Sequence, residues 1–575
     1  MPSVARKKTR KPEKIRSKVL QSEPAALPSP NPTHLLRCRL GLIAATILCL
    51  APFLGKPFNI DDPLFVWTAK QVVSHPQDPY GFPVVWYYTA DPMSTVTKNP
   101  PLASYYAVLF GSWSKWSEIA LHFGFLLPAV VVVLATYELA RELSVRPLLA
   151  AGLTLAAPAF LVSATSVMCD VSMLALWMVA TMFWHKGMRS GRHAYLAIAS
   201  VTLAACALTK YFGACLIPLL FAYSLFRQRR LGYWALYFLF PVAALVGYQL
   251  WTKDLYGAGL LLDAAQYANM VRTGDTPVAA GLLIGLSFTG GCVLPALLMV
   301  PWLFEKVWIA TGLAIAIPGA MVLSWDVFGI FKHMPHTTGI FLTVWLFIAG
   351  GIFALALATR DFWQRRDADS MLLCAWVLGT FLFAAAVNWT VNARSVLPLI
   401  PAISILISRN LKNTEDNMGP RWIIGVPVAA SLAISLWLTS ADASMAYSAR
   451  RAARMVYSRA AEEGRKTLFS GHWGFQYYLE EFGLRPIDVS SAESREAELI
   501  AQPENNTNTF VFAPESIAST EPFEIDVNLG ISLFCRELGA GFYSSGTFGP
   551  LPFAFGRVPP ERYTLYHLRM VPARQ

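Results

Sequence analysis

Charge is scarce in this 575-residue chain: 14% of its residues are Asp, Glu, Lys or Arg. A soluble domain carries about 25%, and the shortfall excludes a wholly water-soluble protein. Short segments of alternating polarity are missing too, which argues against a membrane β-barrel. The eight cysteines show no metal-ligand spacing. Seven lie in or beside apolar runs and Cys535 stands alone, so neither a zinc site nor a disulfide framework is expected. There is no evident internal repeat.

What the chain has instead is apolar length. It is 55% hydrophobic and 13% aromatic, with a mean hydropathy of +0.44. Runs of roughly 17 to 25 apolar residues recur, the length that crosses about 30 Å of hydrocarbon as helix. About 13 candidate spans begin near Leu35, Ile119, Leu148, Val171, Ala194, Tyr211, Gly232, Val278, Val307, Thr338, Met371, Ser395 and Trp422. The expected fold class is an α-helical polytopic membrane protein with a small soluble C-terminal α/β domain.

Basic residues give the orientation. Residues 1–34 form a polar arm with Arg6, Lys7, Lys8, Arg10, Lys11, Lys14, Arg16 and Lys18, expected to be disordered and cytoplasmic. Alternate loops agree: Arg141 and Arg146; Lys186, Arg189 and Arg192; Arg227, Arg229 and Arg230; Lys306; Arg360, Arg365 and Arg366; Arg409, Lys412 and Arg421. Loop basicity also accounts for the net charge of +11, so nucleic acid is not an expected partner. The remaining loops face outward: the first (56–118, with Asp61), the turns at Asp170, Lys210 and Asn392, the 251–276 stretch and the loop at His333. An odd number of spans puts the tail outside, periplasmic in a Gram-negative cell.

The membrane domain is expected over residues 35–440 and a soluble domain over 441–575. In the latter, strand-like runs at Thr467–Ser470, Asn508–Ala513 and Arg562–Leu568 flank a helical pattern at Trp473–Phe482. The aromatic run from Gly471 to Tyr478 suits a sugar or lipid surface, but most of its aromatics read as core. In the first outer loop Trp67, Trp86, Tyr87, Tyr88, Trp113 and Trp116 read as interfacial anchors.

Ionisable groups at membrane depth are costly, so they face cavities, pair or do chemistry. Asp61 and Asp62, Lys98, Asp170, Lys210 and Arg394 come from segments far apart in sequence, yet all map to one face. Each alone is as readily a structural ion pair or a snorkelling side chain. Their shared side favours a reaction site.

The order of these motifs resembles the GT-C superfamily of integral-membrane glycosyltransferases, particularly the bacterial branch with the lipid A aminoarabinose transferase and relatives of the protein O-mannosyltransferases. Asp61-Asp62 matches the acidic pair of the first outer loop, where the second position is commonly Glu. Lys98-Asn99-Pro100-Pro101 matches a Lys-Pro segment with one residue inserted, and Asp170 a later acid. Thr209-Lys210-Tyr211 matches a Thr-Lys-Gly turn with tyrosine in place of glycine, and Arg394 with Leu397-Pro398 a basic residue before a Leu-Pro helix.

The resemblance implies an inverting hexosyl- or pentosyltransferase that moves a sugar from a polyprenyl-phosphate donor to a lipid, glycan or protein acceptor at the outer face. The residue types fit that chemistry. A carboxylate, for which Asp61 is the choice, removes the acceptor's proton. Lys98, Lys210 and Arg394 bind the donor phosphate and stabilise its developing charge. Asp62 and Asp170 have two readings: orienting the lysines or the acceptor, or holding a divalent cation. The rivals are a secondary transporter or lipid-linked sugar flippase, which calls for repeats and polar groups through the membrane's depth, and a scaffold whose tail does the binding.

Overall fold

The computed structural model describes residues 32–143, 146–275, 277–411 and 422–569; the basic arm expected over residues 1–34 lies almost wholly outside them. Each of the thirteen expected starts falls in or beside a helical element. By length and hydropathy, seven helices among the described residues can cross a membrane: those within Pro32–Phe53, Glu118–Leu143, Tyr233–Tyr256, Lys306–Ser324, Thr338–Arg365, Ala368–Val387 and Ile424–Glu463. Most of the others are short or interrupted. Pro158 divides the run after Pro147 into Pro147–Leu155 and Pro158–Ser163, since proline lacks the N–H that would continue the ladder. The Cys169–Ser190 helix is 22 residues long but carries Asp170, Lys186 and Arg189, which lower its hydropathy.

Small residues set the closest packing. Gly290 lies so near Phe347 that an added Cβ would meet its carbonyl oxygen at 1.9 Å, which draws the Val278–Cys292 and Thr338–Arg365 helices together.

The last long helix, Trp422–Glu463, runs unbroken across the composition change at Ala441 and delivers the chain to a five-stranded sheet. Its strand order is Arg485–Pro486, Thr467–Phe469, Leu499–Pro503, Glu561–Leu568, Ile517–Ile525. The first three strands are parallel and the last two pair antiparallel, with Leu565 opposite Ala501 and Glu521. The strand expected at Asn508–Ala513 does not form. That stretch is irregular, tied down where the Phe510 N–H donates to the Gln502 side chain and the Gln502 amide to the Phe510 carbonyl. The helix Trp473–Glu481 buries Phe475, Tyr477 and Tyr478, so these aromatics are core as expected.

The sheet domain packs on the face that carries Asp61. The Phe58 N–H donates to the Tyr478 hydroxyl at 2.9 Å, and an ion pair joins Lys56 to Asp442, both almost fully buried. The Lys56 ammonium also donates to the Thr165 carbonyl at 3.1 Å, and Tyr543 donates to the other oxygen of Asp442 at 2.7 Å. First loop, long helix and C-terminal domain thus meet at one buried charge pair. Removing one member leaves the other charged and unpaired, a loss of about 3–5 kcal/mol, whereas replacing both with apolar groups costs much less. Lys56→Met should lower the thermal unfolding midpoint sharply in detergent, and Lys56→Met/Asp442→Leu should recover most of the loss; a double variant no better than the single one would contradict this.

Candidate functional site

Asp61 ends the turn that follows the first span and immediately precedes the Asp62–Ser74 helix. The residue before it, Ile60, is buried with φ at +52°. That region is sterically poor for a β-branched side chain and costs about 1–3 kcal/mol where surrounding packing enforces it. Beyond this turn the two neighbouring carboxylates go to different partners. Asp61 accepts from Arg394 at 2.8 Å. Asp62 accepts the backbone N–H groups of Asn59 at 3.0 Å and Val167 at 2.8 Å, and is 1% exposed.

Asp170 occupies the first turn of its helix and Lys210 the C-cap of the His193–Thr209 helix, ends at which the helix dipoles favour those charges. They pair at 2.5 Å. Arg394 sits in a single turn, Ala393–Val396, capped by the Asn392 side chain and fixed where the Ala393 N–H donates to the Phe542 carbonyl. Its guanidinium lies 5.6 Å from the Tyr543 ring centre and acts electrostatically on both Asp61 and Asp170. Four expected residues, Asp61, Arg394, Asp170 and Lys210, therefore form one cluster.

Lys98 has other company. It pairs with Asp263 at 2.6 Å and lies over the Tyr267 ring at 5.1 Å, both on the Leu260–Asp275 helix. Tyr87 connects the two groups, facing Tyr267 and Asp61; burial first, then these neighbours, push its phenol up to about 12. Asp62 faces none of the three expected cations; Lys56 is the cation that acts on it. Among the described residues the only three-ligand group with metal-site spacing is Glu463, Glu521 and His567 in the C-terminal domain, where the three already pair with Arg459, Arg465 and one another.

Sequence reasoning missed Lys56, Asp263, Asp442 and Tyr543. Lys56 was legible as a cation beside the acidic pair, but the other three lie in segments with no motif. The interfacial reading of the loop aromatics needs amending for Trp86, which is buried and stacks on His472 of the sheet domain at 4.7 Å. Trp113 is 72% exposed. An open cleft of about 830 Å³ runs between the first loop and the sheet domain, lined by Trp67, Lys70, Gln71, Phe82, Glu480 and Arg485 among others.

Residues 98–251 match the family model described as dolichyl-phosphate-mannose-protein mannosyltransferase. Over that segment, about a quarter of its length, the chain is similar to this family of membrane glycosyltransferases. The match opens at Lys98 and contains Asp170 and Lys210. Among proteins of curated function none matches the sequence. Solved structures similar to the chain include the Archaeoglobus fulgidus oligosaccharyltransferase in complex with Zn and sulfate, at 13% identity over 81% of this chain and 68% of that one (TM-score 0.48). ArnT from Cupriavidus metallidurans bound to undecaprenyl phosphate is similar at 14% identity over 82% and 94% (TM-score 0.42). Arabinosyltransferase EmbB from Mycobacterium smegmatis is similar at 14% over 73% and 42% (TM-score 0.32).

The surroundings of Asp62 give a pH test. Burial, partly offset by Lys56 and the two backbone N–H groups, pushes its carboxyl from the ordinary 3.8 up to about 7. The folded protein then holds a proton that the unfolded chain releases, so this group's contribution to stability is full below about pH 4 and lost as pH rises through 7, a difference of roughly a few kcal/mol. Asp62→Asn should flatten that part of the profile of unfolding midpoint against pH; an unchanged slope between pH 4 and 7 would count against it.

Proposed function

We propose that the protein transfers a sugar from a polyprenyl-phosphate donor to an acceptor hydroxyl or amine at the outer membrane face, with inversion at the anomeric carbon. The observation that carries this reading is the Asp61–Arg394 pair with Asp170–Lys210 beside it. It brings two carboxylates and two cations from four separate segments to one end of the membrane domain. In the reaction the bond from the anomeric carbon to the phosphate oxygen breaks as the acceptor atom bonds to that carbon. The acceptor's proton goes to Asp61, and the negative charge left on the lipid phosphate is met by Arg394 and Lys210. Arg394 offers planar two-point contact and the lysines act as point charges. Donor phosphate competes with Asp61 for Arg394, so binding the donor would itself release the base. Lys98 would turn from Asp263 to the phosphate or hold the Leu260–Asp275 helix beside it.

Asp170 orients Lys210 in this scheme, and Asp62 fixes the loop backbone. A divalent cation, if used, has Asp61 and Asp170 as its nearest oxygen ligands in the cluster. The open cleft between the first loop and the sheet domain offers the acceptor a route from water. The transporter reading is less well supported, because the ionisable pairs gather at one end and do not line a path through the membrane domain.

Asp61→Asn keeps the size and much of the hydrogen bonding of the carboxylate but cannot take a proton. Single-turnover transfer should fall roughly 10²- to 10⁴-fold with donor affinity largely kept. Near-normal transfer would move the base elsewhere, and an equal loss of binding and rate would point to a metal-holding or structural role. Arg394→Ala and Lys210→Ala should each weaken donor use by about tenfold or more, with Lys98→Ala weaker in effect; unchanged turnover in all three would remove the phosphate-site reading.

Sidedness is testable separately. In a cysteine-free background, Val511→Cys, at a position 98% exposed in the sheet domain, should react with an impermeant thiol reagent in cells whose outer barrier is permeable, and Gln228→Cys should not. The reverse pattern would put the Asp61 face in the cytoplasm.

A further inference from the structure

At the end of the membrane domain away from Asp61, three helices finish on residues with left-handed backbone. Cys169–Ser190 ends on Gly191 (φ 68°), Leu216–Gln228 on Arg229 (φ 56°) and Thr338–Arg365 on Arg366 (φ 53°). A helix the length of Cys169–Ser190 rises about 33 Å, so this end lies one hydrocarbon thickness from Asp170. Two adjoining cavities open here, sharing Met188 and Gln228 in their walls. The larger, about 490 Å³, is edged by Arg227, Arg229 and Arg366. The smaller, about 210 Å³, is lined by Leu196, Leu231, Tyr233 and Trp234, with Arg230 at its side.

The cations are unevenly partnered. Arg227 lies 3.8 Å from Asp369. Arg229 packs on the Phe226 ring at 4.3 Å, and Arg366 on the Trp363 ring at 5.0 Å while donating to the Trp363 carbonyl. Among the described residues neither has a carboxylate within ion-pair distance. A second, independent observation comes from the smaller cavity: the Trp234 side chain is buried and its Nε1–H finds no acceptor among the described residues. A buried donor left unpaired costs about as much as a lost hydrogen bond, and the residue that carries it forms part of the cavity wall, where a small rotation of the ring would present it to an acceptor. The helix C-termini disfavour an anion through their partial charges and Asp367 also lines the larger cavity, but Arg227 and Arg365 complement two of those ends and Asp367 pairs with Arg409, which leaves Arg229 and Arg366 as the two full charges without a carboxylate.

We infer that these cavities bind one anionic phospholipid of the leaflet opposite the Asp61 face. Its phosphate oxygens accept from Arg229 and Arg366, a further headgroup or ester oxygen accepts from Trp234, and its chains run along Trp363, Leu231 and Tyr233, each more than half exposed. The apolar wall is the reason for choosing a lipid over a free phosphate. No residue of the Asp61 cluster takes part, so the inference stands or falls apart from the transferase reading.

The test uses full-length protein in mild detergent, with native mass spectrometry of retained phosphatidylglycerol and phosphatidylcholine of identical chains. Wild type should retain phosphatidylglycerol about tenfold better, the effect of one or two charge-assisted contacts. Arg229→Gln/Arg366→Gln should bring the two lipids near parity, and Arg229→Lys/Arg366→Lys should keep part of the preference. Trp234→Phe keeps the ring and removes the donor, and should lower phosphatidylglycerol retention several-fold with the unfolding midpoint unchanged. Equal retention of both lipids by wild type, or a preference untouched by the glutamine and phenylalanine variants, would overturn the proposal. Displacement of the lipid by equimolar inorganic phosphate would overturn it in favour of a small-anion site.

Discussion

A charge removed from water needs a partner, and in this protein that requirement is concentrated at Lys56 and Asp442. Desolvation of either alone would cost several kcal/mol; together, with Thr165 and Tyr543 taking up further hydrogen bonds, they fix three distant parts of the chain against one another. The first loop cannot shift without disturbing the last long helix, and the sheet domain cannot leave without uncovering Asp442. The strained turn at Ile60 is held in the same stretch of chain, four residues beyond Lys56.

Around that fixed point the site follows a second rule: each cation is matched by a carboxylate from another segment. Arg394 meets Asp61, Lys210 meets Asp170 and Lys98 meets Asp263. The Arg394–Asp61 and Lys98–Asp263 pairs are partly exposed, whereas Asp170 and the Lys56–Asp442 pair are buried. The division separates groups that hold the loop from groups that are free to meet a ligand. It also gives the sheet domain a part in the site, because Tyr543 lies beside Arg394 and the Phe542 carbonyl anchors the turn that carries it.

Local composition is enough for the membrane class, the location of the helices and the grouping of Asp61, Asp170, Lys210 and Arg394 on one face. These follow from apolar length, from the rarity of charge within it and from the alternation of basic loops, all properties of local composition. Even the helix at Trp473 and the strands at Thr467 and Arg562 were legible from pattern. Which charge meets which is settled by the packing of distant segments. Two adjacent carboxylates, indistinguishable as Asp61-Asp62, acquire different roles because one unusual backbone turn precedes them and one of them finds two buried N–H groups. Lys98 was grouped with the other cations by motif, yet its partner is Asp263, 165 residues later. Sequence spacing carries no information about pairing across that distance; burial and chain path do, and they exist only once the helices and the sheet domain have packed.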